Sequence, residues 1–212
     1  TRSSVAPPRC FGRERELARL GELARSAAGE RTGRVAAITG PAGIGKSAAL
    51  RELGTLARER GWTTVGADAT QSGRPYAVIA AIAQRLIVEQ RELLDAVGPA
   101  ARSVLALLSP LAEPAEALPG PLGRHQVIGA IRRLLLAASQ GGNVMVQVDD
   151  AHVIDDADVD VLLHLASTGP PVFVLVAMRP MEAGAALARG VARLAGAGVL
   201  RVLDLDPLAD DE

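Results

Sequence analysis

Residues 40–47 read GPAGIGKS, a complete match to the pattern G-x-x-x-x-G-K-[ST]. Ahead of it Val35-Ala36-Ala37-Ile38-Thr39 is a short apolar strand, and behind it Lys46 to Glu59 has the pattern of a helix that ends before Gly61. Gly40, Gly43 and Gly45 permit backbone angles that turn successive N–H groups inward around an anion. The helix start adds its positive end. Lys46 is placed to reach the β- and γ-phosphates of a nucleoside triphosphate, and the Ser47 hydroxyl to ligate Mg²⁺. The nucleotide-binding run is Gly40, Pro41, Ala42, Gly43, Ile44, Gly45, Lys46, Ser47 and Ala48. The chain has 22 arginines and one lysine, and that lysine is Lys46. Enrichment in Arg, Ala and Gly is what a GC-rich genome encodes, and it exchanges Lys for Arg wherever either serves. A lone surviving lysine marks a place where a compact ammonium on a flexible stem is needed.

Working outward, 212 residues suffice for one α/β domain with a sizeable core. A formal net charge of −1 gives no electrostatic reason to expect nucleic acid or an anionic membrane as partner. Apolar residues make up 49% of the chain, yet no uninterrupted run approaches a membrane span. Cys10 is the single cysteine and can form no internal disulfide, which fits a reducing cytoplasm.

Residues 1–10, with Pro7-Pro8, read as a linker. An amphipathic helix is expected over Phe11–Ala28, and a second strand over Trp62–Ala67. Residues 68–142 contain no convincing strand: helices are expected over Tyr76–Val97, Ala100–Leu108 and Leu122–Ser139, with a loop around Pro110, Pro114, Pro119 and Pro121. Buried strands follow at Asn143–Val148 and Pro171–Met178, helices at Ala157–Ser167 and Met181–Leu194, and a last strand at Val199–Leu205. Uniformly apolar strands alternating with helices imply a parallel sheet covered on both faces. Such sheets bind ligands at the carboxyl ends of their strands.

Two more strand ends carry polar residues. Asp149-Asp150 follow an apolar run, so Asp149 is aimed to hold Mg²⁺, mostly through a water, and Asp150 to act as general base on the attacking water. The competing reading is that these acids merely cap a loop. Arg179 ends the strand at Met178, where it either touches a γ-phosphate or is an ordinary surface arginine; its position alone does not choose. His125, His152 and His164 lack metal-ligand spacing and are read as surface or packing residues, His152 being the one near enough to Asp149 to lie beside the site. Trp62 and Tyr76 are read as core.

Six segments occur in a fixed order: FGRERELARL (11–20), GPAGIGKS (40–47), RPYAVIAAIAQRL (74–86), VMVQVDDAH (144–152), VLVAMRP (174–180) and DLDPLADDE (204–212). Together they resemble the AAA-like ATPase domain of STAND-class signal-transduction regulators, above all large LuxR-family regulators and the antibiotic regulatory proteins of actinobacteria. The resemblance runs from about Phe11 to Glu212, and the order and spacing of the segments make it specific. It implies an α/β P-loop NTPase fold, a three-layer sandwich with a five-stranded parallel sheet of order 5-1-4-3-2 and a helical insertion between strands 2 and 3. It places Phe11, Gly12 and Arg13 against the adenine, makes Asp149 and Asp150 the metal-binding and catalytic acids, and makes Arg179 the γ-phosphate sensor. Lys46, Asp150 and Arg179 are then the catalytic set, Ser47 and Asp149 the metal set, and ATP or ADP with Mg²⁺ the cofactors.

In one respect the chain departs from the pattern: relatives follow the paired acids with an aromatic residue and then Ala-Asp, whereas here the sequence is His152-Val153-Ile154-Asp155. Relatives also continue past the final segment into a helical and winged-helix lid, so residues 11–212 are expected to be an ATPase domain cut before that lid. The expected role is a slowly hydrolysing nucleotide switch in a multidomain transcriptional regulator, in contact with its own neighbouring domains and open to nucleotide-dependent self-association. Direct contact with nucleic acid or membrane is not expected. A P-loop phosphotransferase acting on a small molecule, and a switch that binds without hydrolysing, are the alternatives.

Overall fold

The computed structural model describes residues 12–30, 33–71, 74–109, 111–115, 122–168 and 172–207; the expected linker, Cys10 and Phe11 lie outside them. The elements are α1 (Glu14–Glu30), β1 (Arg34–Thr39), α2 (Lys46–Glu59), β2 (Thr63–Asp68), α3 (Ala77–Glu89), α4 (Leu93–Ala96), α5 (Pro99–Leu108), α6 (Arg124–Gln140), β3 (Val144–Asp149), α7 (Asp156–Thr168), β4 (Val172–Met178), α8 (Ala185–Gly196) and β5 (Leu200–Asp204). The five strands form one parallel sheet in the order β2-β3-β4-β1-β5, which is the expected 5-1-4-3-2 read from the other edge. Helices α3 to α6 make the expected insertion between β2 and β3.

The strands alternate strictly in what they bury. Ala36, Ile38, Met145, Phe173, Leu175 and Ala177 join the cluster beneath α1 and α2. Val35, Ala37, Val65, Val144, Val146, Val148, Val172, Val174 and Val176 join the larger cluster covered by the remaining helices. Period-two alternation with both faces apolar makes this the middle layer of three. Gln147 is one of the buried polar residues of the sheet, with Thr39 and Thr64: its Nε2 donates to the Leu50 carbonyl at 2.5 Å, across the interface with α2. Gly54 makes room for it, since a Cβ there would lie 2.6 Å from the Gln147 Oε1.

Register brings the strand ends level. Thr39 pairs with both Met178 and Asp204, and Asp68 with Asp149. The residues that follow, Gly40, Asp150, Arg179 and Leu205, therefore emerge at one edge. Within the described residues no helix is long and apolar enough to cross a membrane.

The expected helix over Tyr76–Val97 is corrected: α3 stops at Glu89 and a separate turn, α4, begins at Leu93. Gln90 leaves helical geometry (φ −142°, ψ 78°) and its Nε2 donates to Thr63 Oγ1 at 2.9 Å. The change of direction lets Leu93, Leu94 and Val97 all face the large core. The helix expected from Met181 likewise begins later, at Ala185, because Pro180–Glu182 forms a single 3₁₀ turn and Gly184 interrupts it from α8. Trp62 and Tyr76 are half-buried against the two cores, consistent with the packing role expected of them.

The start of α3 is held from a distance. Tyr76 stands in left-handed conformation (φ 63°) and supplies no side-chain cap. Instead the wholly buried Asp158 of α7 accepts the Ile79 N–H at 2.8 Å. Burial pushes the Asp158 carboxyl up to about 6, against the pull of the Ile79, Val78 and Ala77 N–H groups.

Candidate functional site

The loop between β1 and α2 is backbone-rich and open. Gly40, Gly43 and Gly45 have φ of 148°, 76° and 102°, the conformations expected of glycines that turn N–H groups toward an anion. Pro41, Ala42 and Gly43 are exposed, while Ile44, Gly45, Ser47 and Ala48 are partly covered. Gly40 has a second reason to lack a side chain: a Cβ would come within 3.0 Å of the Leu205 carbonyl and the Ile44 side chain. No side chain caps α2 at Gly45, and a helix start carries N–H groups that lack intrahelical partners.

Lys46 is buried, and its Nζ donates to the Gly40 and Pro41 carbonyls at 2.9 and 2.7 Å, closing the loop on itself. Desolvation lowers its pKa, the neighbouring Arg179 lowers it further, and Asp150, Asp149 and Glu182 act in the opposite direction. The ammonium is thus poorly solvated and stands among one other cation and three carboxylates.

Ser47 is the next residue of α2, and its Oγ donates to Asp149 Oδ1 at 3.0 Å, from the last residue of β3. A hydroxyl and a carboxylate this close form the hard-oxygen pair that suits Mg²⁺, whose other ligands are ordinarily phosphate oxygens and waters. The donor set fits the expected ion.

Asp150 occupies the left-handed region (φ 48°, ψ 39°), and its N–H donates to Asp149 Oδ1 at 3.0 Å. Of the non-glycine residues, Asp tolerates this conformation better than most, and it sends the two adjacent carboxylates in different directions. Asp149 turns toward Ser47, while Asp150 turns toward His152, whose Nδ1 is 3.8 Å from Asp150 Oδ1. Arg179, just past β4, is held by Glu182 through a 2.6 Å contact from Nη1 to Oε1.

The N-terminal segment also reaches this edge. Gly12 has φ 72°, and Arg13 is buried, its Nη2 donating to the carbonyls of Asp206 at 2.5 Å and Ile44 at 3.4 Å. Arg13 therefore ties the chain before α1 to the phosphate loop and to the end of β5. His152, the histidine expected near Asp149, is buried beside Asp150, while sequence reading missed two participants, Glu182 and Asp206. Glu182 had a faint signal in the spacing Arg179-x-x-Glu182, which a one-turn helix brings together; Asp206 contributes only a backbone carbonyl and had none.

With this geometry in view, comparison with known proteins is informative. Residues 9–176 match the AAA ATPase domain family. Among solved structures, the chain resembles the Drosophila origin recognition complex bound to poly(dA/dT) DNA and Cdc6, at 15% identity and TM-score 0.53, covering 91% of this chain and 29% of that one. A second likeness is to AMPPCP-bound DnaA from Aquifex aeolicus, at 12% identity and TM-score 0.46, covering 92% and 46%. The chain thus spans less than half the length of either, and at 15% identity the likeness to the origin recognition complex is one of fold alone. No curated protein matches it. The family match covers most of the chain and includes the phosphate loop, both acids and β4 as far as Val176: the protein belongs to the AAA ATPase domain family.

Proposed function

We propose that this domain binds ATP with Mg²⁺ at the loop Gly40–Ser47, hydrolyses it slowly, and serves as the nucleotide switch of a multidomain transcriptional regulator. The observation that carries the binding reading is the 3.0 Å Ser47–Asp149 pair beside a poorly solvated Lys46, at the uncapped start of α2. On this reading Lys46 gives up its bonds to the Gly40 and Pro41 carbonyls and turns to the phosphates, where a charged donor is worth more. Ser47 and Asp149 hold the metal, which supplies charge neutralisation to the phosphate oxygens when bound. Asp150 accepts a proton from the attacking water, and Arg179 contacts the γ-phosphate. Phe11, Gly12 and Arg13 lie against the adenine, with Arg13 securing that segment to Ile44. The regulator role, in antibiotic or secondary metabolism, is supported by the six ordered segments. A γ-phosphate that orders one arrangement of neighbouring domains is a familiar way for such a site to signal.

Calorimetric titration of Mg²⁺–ATP into the wild type and Lys46→Ala tests the binding reading. The substitution is expected to weaken ATP by about 10- to 100-fold, the equivalent of roughly 1.5–3 kcal/mol for a charged hydrogen bond. Equal affinities would sink it. Single-turnover formation of ADP, lost in Asp150→Asn, tests hydrolysis; an unchanged rate would remove Asp150 from the chemistry.

A further inference from the structure

Glu182 stands between two groups of the site. Its Oε1 lies 2.6 Å from Arg179 Nη1, and its Oε2 lies 3.6 Å from His152 Nε2. The placement is fixed by the backbone: Arg179 is extended, Pro180 opens a one-turn 3₁₀ helix, and that turn ends at Glu182. His152 is 95% buried, and its Nδ1 has no hydrogen-bond partner among the described residues. Four side chains therefore run in a line, Asp150, His152, Glu182 and Arg179, linking the candidate base to the candidate sensor.

We propose that Glu182 is a specificity-determining residue, a built-in anion that competes with the γ-phosphate for Arg179 and so sets the preference of the site for triphosphate over diphosphate. The proposal rests on the nucleotide reading above. Arg179 can satisfy its guanidinium on Glu182 or on a phosphate, and only a triphosphate extends far enough to offer the second choice. When Arg179 leaves, Glu182 keeps a partner, because the buried His152 imidazole already faces its other oxygen. His152 is a positioning residue here: it gives the displaced carboxylate a place to rest. The Arg179–Glu182 pair is about half exposed, so the competition is worth a modest factor.

The experiment is a titration of ATP and of ADP, each with Mg²⁺, into the wild type, Glu182→Gln, Arg179→Ala and the double variant. Glu182→Gln is expected to tighten ATP by about 3- to 5-fold, in line with an exposed ion pair, and to leave ADP unchanged. Arg179→Ala is expected to reduce the ATP preference, and adding Glu182→Gln to it should change nothing more, because the two act through one contact. His152→Phe, which keeps a buried ring without nitrogens, should lower the ATP-to-ADP ratio. An unchanged ratio in Glu182→Gln, or the same gain in the Arg179→Ala background, would overturn the proposal. If the wild type binds ATP through Lys46 and the ratio does not respond, this inference fails alone. If Lys46-dependent binding is itself missing, the nucleotide reading fails.

Discussion

Helices α2 and α3 begin in the same way and end up with opposite fates. Each follows a strand of the sheet, each starts after a residue in left-handed conformation, Gly45 or Tyr76, and neither receives a cap from that residue's own side chain. A helix start presents unpaired N–H groups and the positive end of the macrodipole, so both favour an anion. At α3 the protein supplies the hydrogen-bond acceptor itself: the buried Asp158 carboxyl reaches in from α7 and accepts the Ile79 N–H. At α2 no such carboxylate is hydrogen-bonded among the described residues, and Lys46 is folded back on the loop carbonyls. The same physical need is met internally at α3, whereas at α2 the proposed reading leaves it to the phosphates of a nucleotide.

The largest effect should come from emptying the filled start. Asp158→Ala leaves the Ile79 N–H of α3 buried and unpaired, and is expected to cost about 2–3 kcal/mol in denaturant unfolding at pH 5. A variant as stable as the wild type would mean that Asp158 does not cap α3.

Acidity sharpens the same point. Burial raises the folded Asp158 carboxyl to about 6 from the ordinary carboxylate value of 3.8, so the folded state holds its proton more tightly than the unfolded state does. The stability contributed by neutral Asp158 is therefore fully present below pH about 4 and is lost as pH rises through about 6. Measured as the difference between wild type and Asp158→Asn, the loss should be roughly 1–3 kcal/mol, at about 1.4 kcal/mol per unit. A difference that is flat from pH 4 to 7 would contradict it.

Seating matters as well as capping. α2 lies close enough to β3 that a Cβ at Gly54 would meet Gln147, whose side chain is fixed by its bond to Leu50. Gly54→Ala should cost about 1–3 kcal/mol by overpacking. A neutral result in thermal unfolding would show that the interface yields.

The smallest effect belongs to the metal pair. Removing Mg²⁺ with a chelator should weaken ATP several-fold in the wild type, and Ser47→Ala should blunt that dependence. An undiminished Mg²⁺ effect in Ser47→Ala would take Ser47 out of the metal site.

How much of this was legible in the sequence follows from how far apart the partners lie. The phosphate loop is eight consecutive residues whose chemistry is local, so GPAGIGKS announced both the turn and the helix behind it. The alternating cores were legible too, because branched and small apolar residues at period two have few other places to go. The strand order came from resemblance, since nothing in a strand's own residues names its neighbour. What remained hidden was tertiary: Asp158 meets Ile79 from 79 residues away, and Arg13 meets Asp206 from 193. Asp158 lies within a run with Asp155, Asp156 and Asp160, where full burial of one carboxylate among partly or wholly exposed ones leaves no pattern. The break after Glu89 was hidden for a related reason, because Gln90 leaves the helix to meet Thr63 on a strand edge.

The contrast between the two helix starts is tested most directly by a crystal structure of the full chain with Mg²⁺ and a non-hydrolysable ATP analogue. The expected result has the phosphates on the N–H groups of the Gly43–Ser47 turn, with Lys46 Nζ moved off the Gly40 and Pro41 carbonyls and Asp158 unmoved at α3. Phosphates bound elsewhere, or Lys46 still folded on the loop beneath a bound nucleotide, would contradict it.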